Sequence, residues 1–239
     1  MFDQLSIFQR TILLTGEENF FRISQKKIIL FGVGGVGSWC AESLVRSGIH
    51  QLTLVDSDIV VESNINRQLP ANSLTIGRPK VEVLKGHFLD INPNAEITAI
   101  HRAYNSETAT SFLLEEYDYV IDAIDSVKDK SLLIRSACET DAVLFSSMGA
   151  ALKMDPTQIK TAEFWKINYD PLARALRQRF KKDGRPSSKF QCVYSEERLK
   201  NQIPHEANGT LMHVTASFGL ILAGLVIQDA ICHCGSSPQ

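Results

Sequence analysis

The sequence lacks the features of several common protein classes. No two Cys-x-x-Cys pairs occur and the cysteine count of five is odd, so neither a disulfide framework nor a four-cysteine zinc site is predicted. Cys232-His233-Cys234 has no second pair of ligands and is a poor candidate metal site. The net charge of −2 excludes a global positive field that would attract nucleic acid. Without a signal-peptide pattern, and with thiols expected to be reduced, the sequence favours a cytoplasmic protein.

One apolar stretch, residues 214–231, is long enough to raise the question of a membrane span. Polar residues such as Thr215, Gln228 and Asp229 interrupt it, whereas a span needs about 20 mainly apolar residues. We therefore expect a buried C-terminal helix and no membrane span.

Apolar strands alternate with helical patterns through residues 1–150, which predicts a mainly parallel, Rossmann-like α/β sheet with helices on both faces. The pattern changes after Gly149. We predict an adenylation domain over 1–150, and a smaller α+β extension over 151–239 that completes the same fold and supplies a substrate surface. The predicted strands are 27–31, 51–55, 97–100, 119–124, 143–145, 159–164 and 190–194, and the predicted helices are 38–47, 79–90, 108–116, 129–139, 170–182 and 214–231.

A glycine-rich motif follows the first predicted strand and opens the first predicted helix. Glycines let the backbone approach a phosphate closely, and the helix N-terminus supplies free N–H groups and positive potential. Asp56, which ends the next strand, is placed to accept hydrogen bonds from ribose hydroxyls, as it would in an NAD site or an ATP site. The glycines of the motif are Gly32, Gly34, Gly35 and Gly37.

The residues that follow favour ATP over NAD. A triphosphate carries dense charge that grows on the leaving pyrophosphate, and this charge needs a cluster of Asn, Arg and Lys. Asp125 ends a later strand and is a candidate Mg²⁺ ligand, because Mg²⁺ takes one or two carboxylates together with phosphate oxygens. Asp58 could instead cap a turn, and Asp122 could bond backbone N–H groups. The predicted nucleotide-binding residues beyond the glycine motif and Asp56 are Asp58, Ser63, Asn64, Asn66, Arg67, Gln68, Lys80, Asp125 and Ser126.

Five motifs in this order resemble the ThiF/MoeB/HesA adenylating superfamily, which activates carboxylates as acyl-adenylates with ATP. They are Gly-x-Gly-Gly-x-Gly-Ser, Asp-x-Asp at 56–58, Ser-Asn-x-Asn-Arg-Gln at 63–68, Pro-Lys at 79–80 and Asp-Ala-x-Asp at 122–125. The resemblance implies a homodimer in which Arg67 acts as an arginine finger that often reaches the neighbouring subunit's site. It also implies that Lys80 grips the phosphates, that Asp125 holds magnesium, and that Arg10 is the N-terminal phosphate-contacting arginine.

The second half resembles the tRNA threonylcarbamoyladenosine dehydratase branch of that superfamily. The matching stretches include Lys-Met-Asp-Pro-Thr-Gln-Ile at 153–159, Asp-Pro-Leu-Ala at 170–173 and Cys-Val-Tyr-Ser-Glu-Glu at 192–197, although the chain is shorter than the branch between Glu197 and Thr215. The resemblance implies ATP-dependent cyclisation of the modified adenosine in tRNA, with a possible sulfur-transfer or redox partner. Because ring closure uses the substrate's own nucleophile, we expect Cys192 to be a buried apolar residue, with a thioester as the alternative.

Two other functions stay open at this point. One is adenylation of the C-terminal glycine of a ubiquitin-like sulfur carrier, which the missing cysteine pairs weaken, and the other is nucleotide binding or redox chemistry without adenylation. For a tRNA substrate, the basic helix 170–182 offers a phosphate-binding surface, because Arg174, Arg177 and Lys181 share one helical face. A solvated charged face is the alternative interpretation of that helix.

Overall fold

Seven strands form one sheet in the order β3-β2-β1-β4-β5-β7-β6 in the computed structural model, which describes residues 4–232. All neighbouring strands are parallel except β6, which pairs antiparallel with β7. The predicted mainly parallel, Rossmann-like fold is therefore confirmed. Because β7 inserts between β5 and β6, the last third of the chain extends the same sheet. The strands are β1 Lys27–Phe31, β2 Gln51–Val55, β3 Glu96–Ile100, β4 Tyr119–Asp122, β5 Val143–Ser147, β6 Ile159–Glu163 and β7 Gln191–Ser195.

Most helices begin within two residues of their predicted positions, because capping signals in the sequence set their first turns. The side chain of Ser126 accepts a hydrogen bond from Asp129 N–H to cap α6, and Asp170 caps α7 before Pro171. The three N-terminal helices carry no comparable pattern and were not predicted. The helices are α1 Gln4–Ile7, α2 Gln9–Thr15, α3 Glu17–Ser24, α4 Gly37–Arg46, α5 Lys80–Ile91, α6 Val127–Cys138, α7 Pro171–Asp183 and α8 Met212–Cys232.

The helix predicted over residues 108–116 was wrong. Two short 3₁₀ turns, Ala109–Phe112 and Leu114–Glu116, occupy this stretch instead. They are separated by Leu113, whose φ of 45° lies in the left-handed region and cannot continue a right-handed helix. Phe112 and Leu114 are both buried in the core, so their packing holds the break in place.

The two faces of the sheet bury two separate apolar clusters. Alternate residues of β1 point to opposite sides, so Ile28 and Leu30 pack with α4, α5 and α8, whereas Ile29 and Phe31 pack with α6 and α7. Helices therefore cover both faces of the sheet and leave its carboxyl edge free for loops.

Helix α8 is long and apolar enough to cross a membrane by length and composition, with a mean hydropathy of 1.8, but half of the apolar window is buried inside the protein. It packs along α4 and against the sheet. The closest approach is at Gly219, where a Cβ atom would lie 2.3 Å from the carbonyl oxygen of Val36 and 2.8 Å from Cys40 N. This packing agrees with the predicted buried C-terminal helix.

We expect Gly219→Ala to lower the free energy of unfolding by about 1–3 kcal/mol, because the added methyl group would push α8 away from the α4 backbone. Gly224→Ala, on the same helix, is the matched control. A Cβ at Gly224 meets nothing within 4 Å, so that change should stabilise the helix by up to about 1 kcal/mol. Urea unfolding of both variants measures the difference, and equal effects would refute the close-packing explanation.

Candidate active site

The glycine-rich loop lies where the strand order of the sheet reverses. Strands β2 and β3 lie to one side of β1, and β4 and β5 lie to the other, so the carboxyl ends of β1 and β4 border a crevice of the kind that binds ligands in open α/β sheets. Gly32 has a φ of 86°, and a Cβ atom there would lie 2.7 Å from the carbonyl oxygen of Ala123. Only glycine therefore lets the loop after β1 touch the loop after β4.

Asp56 fastens the glycine-rich loop to the end of β2. One carboxylate oxygen accepts the N–H of Val33 at 2.7 Å, and the other accepts the N–H of Asp58 at 2.8 Å. Burial raises the pKa of the Asp56 carboxyl above its ordinary value, while the hydrogen bonds from Asp58 and Val33 and the charge of Lys80 oppose that rise. Each oxygen keeps a further lone pair, so Asp56 can hold the loop and still accept a ribose hydroxyl.

Arg67 lies against the glycine-rich loop of its own chain. A Cβ atom on Gly35 would lie 3.3 Å from Arg67 Cγ and from Thr215 of α8. The carbonyl of Arg67 accepts the indole N–H of Trp39 at 3.0 Å, and its guanidinium donates to the Ser63 carbonyl at 2.8 Å. These contacts place a positive charge beside the loop, where a phosphate would lie.

Lys80 is a second positive charge next to this loop. Its side chain is only 5% exposed, and Nζ lies 2.7 Å from a carboxylate oxygen of Asp58. The backbone N–H of Lys80 also donates to the Asp58 carbonyl. Asp58 thus orients Lys80 and is more than a turn cap.

Asp122, at the end of β4, forms a fully buried ion pair with Lys130 of α6 at 2.8 Å. Its carboxylate also accepts Ser146 Oγ–H at 2.7 Å and the N–H of Ile124 at 3.1 Å, and Lys130 Nζ donates to the Ile124 carbonyl at 3.0 Å. These partners occupy Asp122, which excludes it as a metal ligand. The sequence interpretation did not include Lys130, although positions 130, 134 and 137 share the buried face of α6.

Asp125 differs from Asp122 in being exposed. Its carboxylate forms no hydrogen bond or ion pair with residues 4–232, so its oxygens are free for a ligand. Ser126, which directly follows, donates its hydroxyl to Asp129 and caps α6, so its side chain serves the helix. Among the described residues no group of three potential protein ligands surrounds a metal position, and Mg²⁺ bound through one carboxylate and phosphate oxygens does not need one.

The remaining residues of the 63–68 motif divide into buried and exposed side chains. Asn64 is buried and accepts the N–H of Val61, whereas Asn66 is exposed and donates to the Thr210 carbonyl at 3.3 Å. Gln68 is buried beside Gly34, and its Oε1 has no hydrogen-bond partner within the described chain. Arg10 is exposed on α2, and the hydrogen bonds and ion pairs of residues 4–232 do not connect it to the glycine-rich loop.

The residues of this crevice fit a nucleotide triphosphate. Gly35 leaves a cradle that a Cβ atom would fill, α4 begins at Gly37 with its N–H groups beside the loop, and two cations flank it. Gln68 Oε1, which has no partner among residues 4–232, is a buried acceptor that suits a hydroxyl or amino group of the nucleoside and not a phosphate, and Asp125 offers a free carboxylate. By contrast, a cavity of about 370 Å³ at the opposite, amino edge of the sheet is lined mainly by acidic residues and does not suit phosphate.

Cys192 is fully buried in β7. Burial raises the pKa of its thiol well above the ordinary value, so the nucleophilic thiolate is disfavoured. This environment agrees with the predicted buried apolar residue and not with a thioester-forming nucleophile. His233 and Cys234 of the weak metal motif lie outside the described residues.

The basic face of α7 differs from the prediction at Arg177. Its guanidinium donates to the carbonyls of Phe164 at 2.9 Å and Ile167 at 2.5 Å and lies 5.3 Å from the centroid of the Phe164 ring. Arg177 therefore holds the segment before α7 in place and is half-buried. Arg174 and Lys181 are exposed and remain on one side of the helix.

The fold and the crevice together define a Rossmann-like nucleotide-binding protein of the adenylating type. The model of the ThiF family matches residues 8–236, and the chain belongs to that family.

Two bacterial relatives are similar to the chain over nearly its whole length. A tRNA threonylcarbamoyladenosine dehydratase of Bacillus subtilis is 36% identical over 94% of both chains. One of Haemophilus influenzae is 38% identical over 90% of this chain and 89% of the relative.

The crystal structure of Escherichia coli tRNA N6-threonylcarbamoyladenosine dehydratase in complex with ATP superposes with a TM-score of 0.88, at 34% identity, covering 95% of this chain and 94% of that chain. The resemblance inferred from the sequence motifs is thereby confirmed.

We expect Lys130→Met to lower the free energy of unfolding by about 3–5 kcal/mol, because it leaves the Asp122 carboxylate buried without its counter-charge. The double variant Asp122→Asn/Lys130→Met removes both charges and keeps an acceptor for Ile124 N–H. It should recover much of the lost stability in denaturant unfolding. A double variant as unstable as the single one would show that charge pairing is not what this contact provides.

Proposed function

We propose that this protein is an ATP-dependent tRNA threonylcarbamoyladenosine dehydratase. The observation that carries the proposal is the crevice in which the glycine-rich loop meets Arg67, the turn 123–125 that carries the free carboxylate of Asp125, and Asp56, which links it through Asp58 to Lys80. The likeness to dehydratases over nearly the whole chain supports the same substrate. A tRNA substrate fits a cytoplasmic enzyme, and a sulfur-transfer or redox protein is a possible further partner.

In the first step, an oxygen of the threonyl carboxylate forms a bond to the α-phosphorus of ATP, and the bond to the pyrophosphate breaks. Negative charge grows on the leaving pyrophosphate, so the ammonium of Lys80 and the guanidinium of Arg67 stabilise the transition state more than the ground state. Asp125 would hold Mg²⁺, which neutralises phosphate charge when bound. The proposed nucleotide contacts of Asp56, Asn64 and Asn66 orient ATP for this attack.

In the second step, a nucleophilic atom of the same threonylcarbamoyl group attacks the activated carbonyl. The bond between that carbonyl carbon and AMP breaks, the nucleophile loses its proton, and the ring closes with net loss of water from the substrate. Because the nucleophile belongs to the substrate, its effective concentration is high and no enzyme nucleophile is needed. The burial and high thiol pKa of Cys192 are consistent with this route.

Lys80→Ala and Asp125→Ala should each reduce ATP-dependent AMP formation by at least about 100-fold while leaving the fold intact, because each removes charge stabilisation of the transition state. Lys85→Ala, one turn further along α5, is the control and should retain activity. Activity is measured as AMP released with tRNA carrying threonylcarbamoyladenosine. Near-normal turnover of either site variant would reject the site assignment.

The choice of partner separates this function from its alternative. AMP release that requires modified tRNA supports the dehydratase, whereas release that requires a carrier protein with a C-terminal glycine supports a sulfur-carrier activator. Stimulation by neither would leave only nucleotide binding.

We further propose that the enzyme is a homodimer. Large exposed apolar side chains are frequent in the segment around Arg67, including Ile65, Leu74 and Ile76, and such surfaces favour protein contacts. The contacts of Arg67 with its own glycine-rich loop favour a role in its own subunit's site, which differs from the cross-subunit role that the resemblance suggested.

Mixing inactive Arg67→Ala with inactive Asp125→Ala should therefore restore no activity, because every site in a mixed dimer would still lack one of the two groups. Subunit exchange is demonstrated separately with differently tagged chains, and sedimentation gives the oligomeric state. Recovered activity after exchange would place Arg67 in the neighbouring subunit's site.

The α7 face of the C-terminal extension is the proposed docking surface for the tRNA backbone. Arg174 and Lys181 lie on its exposed side, and Lys182 and Arg185 follow nearby. Arg177 donates its hydrogen bonds to backbone carbonyls of the segment before α7. We therefore leave it out of the proposed phosphate-contacting residues and infer that it stabilises the position of α7.

Arg174→Glu/Lys181→Glu should weaken tRNA binding strongly at low salt, because two phosphate-attracting charges become repulsive. The slope of log affinity against log salt should become shallower by about 1 for each lost phosphate contact. Lys27→Glu/Lys85→Glu carries the same change in net charge on other surfaces and should bind nearly normally. An unchanged slope in the α7 variant would mean that this face is only solvated.

A further inference from the structure

The connection between β6 and α7 carries two exposed aromatic rings that arginines cover. Trp165 is 36% exposed, and Arg185 Cζ lies 5.0 Å from its ring centroid. Tyr169 is 68% exposed, and Arg198 Cζ lies 5.8 Å from its ring. The Trp165 ring packs edge-on against the buried Phe164 ring at 5.0 Å and lies 6.3 Å from the Phe180 ring, whereas no aromatic ring of residues 4–232 packs against Tyr169.

Tyr169 is held in an unfavourable backbone conformation. Its φ of 61° is in the left-handed region, which costs a bulky residue about 1–3 kcal/mol. Burial of the ring does not offset this cost, because most of the ring faces solvent. Two contacts fix the position instead: Arg198 Nε donates to the Tyr169 carbonyl at 2.5 Å, and the buried side chain of Asp170 caps α7 directly afterwards.

The two contacts also locate Tyr169 at the active-site edge of the sheet. A Cβ atom on Gly149, which follows β5, would lie 3.8 Å from Asp170 Oδ2. Arg198 follows β7, and the segment before it is anchored by Lys153, whose Nζ donates to the Ser195 and Glu197 carbonyls. Tyr169 therefore lies near the carboxyl ends of β5 and β7, on the same edge of the sheet as Asp125. Trp165 lies toward the amino edge, because the N–H of Phe164 donates to the Phe190 carbonyl just before β7.

The surroundings favour a nucleic acid over an apolar peptide as the ligand. The exposed residues near Tyr169 include Arg174, in the first turn of α7, and Arg198, so the surface combines a flat aromatic face with positive charge. Unpaired nucleobases stack on aromatic rings and guanidinium planes, while their phosphates need nearby cations. A duplex, whose bases are already stacked on one another, cannot use such rings.

We propose that Tyr169 is a stacking platform for an unpaired base of an RNA loop. The proposal rests on the tRNA substrate of the proposed function and adds how the loop around the reacting nucleotide is recognised. Tyr169 holds a flanking base while the modified adenosine reaches the crevice one or two strands away. Arg198 positions the Tyr169 ring and covers one of its faces.

The test measures binding of the full-length protein to an anticodon-arm RNA hairpin and to a fully paired duplex RNA of equal length. Tyr169→Gly should weaken hairpin binding on the order of ten-fold and leave duplex binding unchanged. Tyr169→Phe keeps the ring and should bind normally. Trp165→Ala, which removes an arginine-covered ring at the amino edge of the sheet, is the matched control and should also bind normally.

Tyr169→Gly also separates recognition from folding. Glycine accepts a φ of 61° without strain, so this variant should melt close to the wild-type temperature even though it loses hairpin binding. If Tyr169→Gly binds the hairpin like wild type while AMP release still requires tRNA, the platform is refuted and the proposed function stands. If the wild-type protein binds no RNA and tRNA does not stimulate AMP release, both proposals fail.

Discussion

The buried ion pair between Asp122 and Lys130 is the contact on which the active-site edge depends. It joins the end of β4 to α6 where both side chains are fully buried, so either charge alone would be strongly unfavourable. Both partners also bond the backbone of Ile124, and this fixes the turn that leads to Asp125. The carbonyl of Ala123 in the same turn touches Gly32, so the pair positions the loops on both sides of the crevice.

The residues proposed to contact phosphate are already oriented by the protein. Lys80 is paired with Asp58, Arg67 is bonded to Ser63, and Asp56 holds the glycine-rich loop. A bound triphosphate would exchange some of these partners for its own oxygens without first ordering long side chains, which lowers the entropic cost of binding. The site would therefore present two positive charges to a triphosphate while its side chains rearrange little on binding.

Local patterns in the sequence predict most of this architecture, and long-range contacts account for the exceptions. Strands, caps and the glycine-rich motif depend on neighbouring residues, so their positions were predicted closely. Helical spacing correctly grouped Arg174, Arg177 and Lys181, but it contains no information on the segment 164–167 that packs over Arg177. The left-handed residue Leu113 was likewise unpredictable, because buried neighbours and not its own preference hold it.

The packing of α8 has a consequence for how the protein is made. Thr215 contacts Gly35, and Gly219 lies against the first turn of α4, so α8 supports the glycine-rich loop from far along the chain. During synthesis, which proceeds from the N-terminus at about 5–20 residues per second, the loop emerges long before this helix. A ribosome-bound chain that lacks α8 therefore carries the glycine-rich loop without the helix that packs against it. We expect such a chain to bind nucleotide more weakly than one in which α8 has formed.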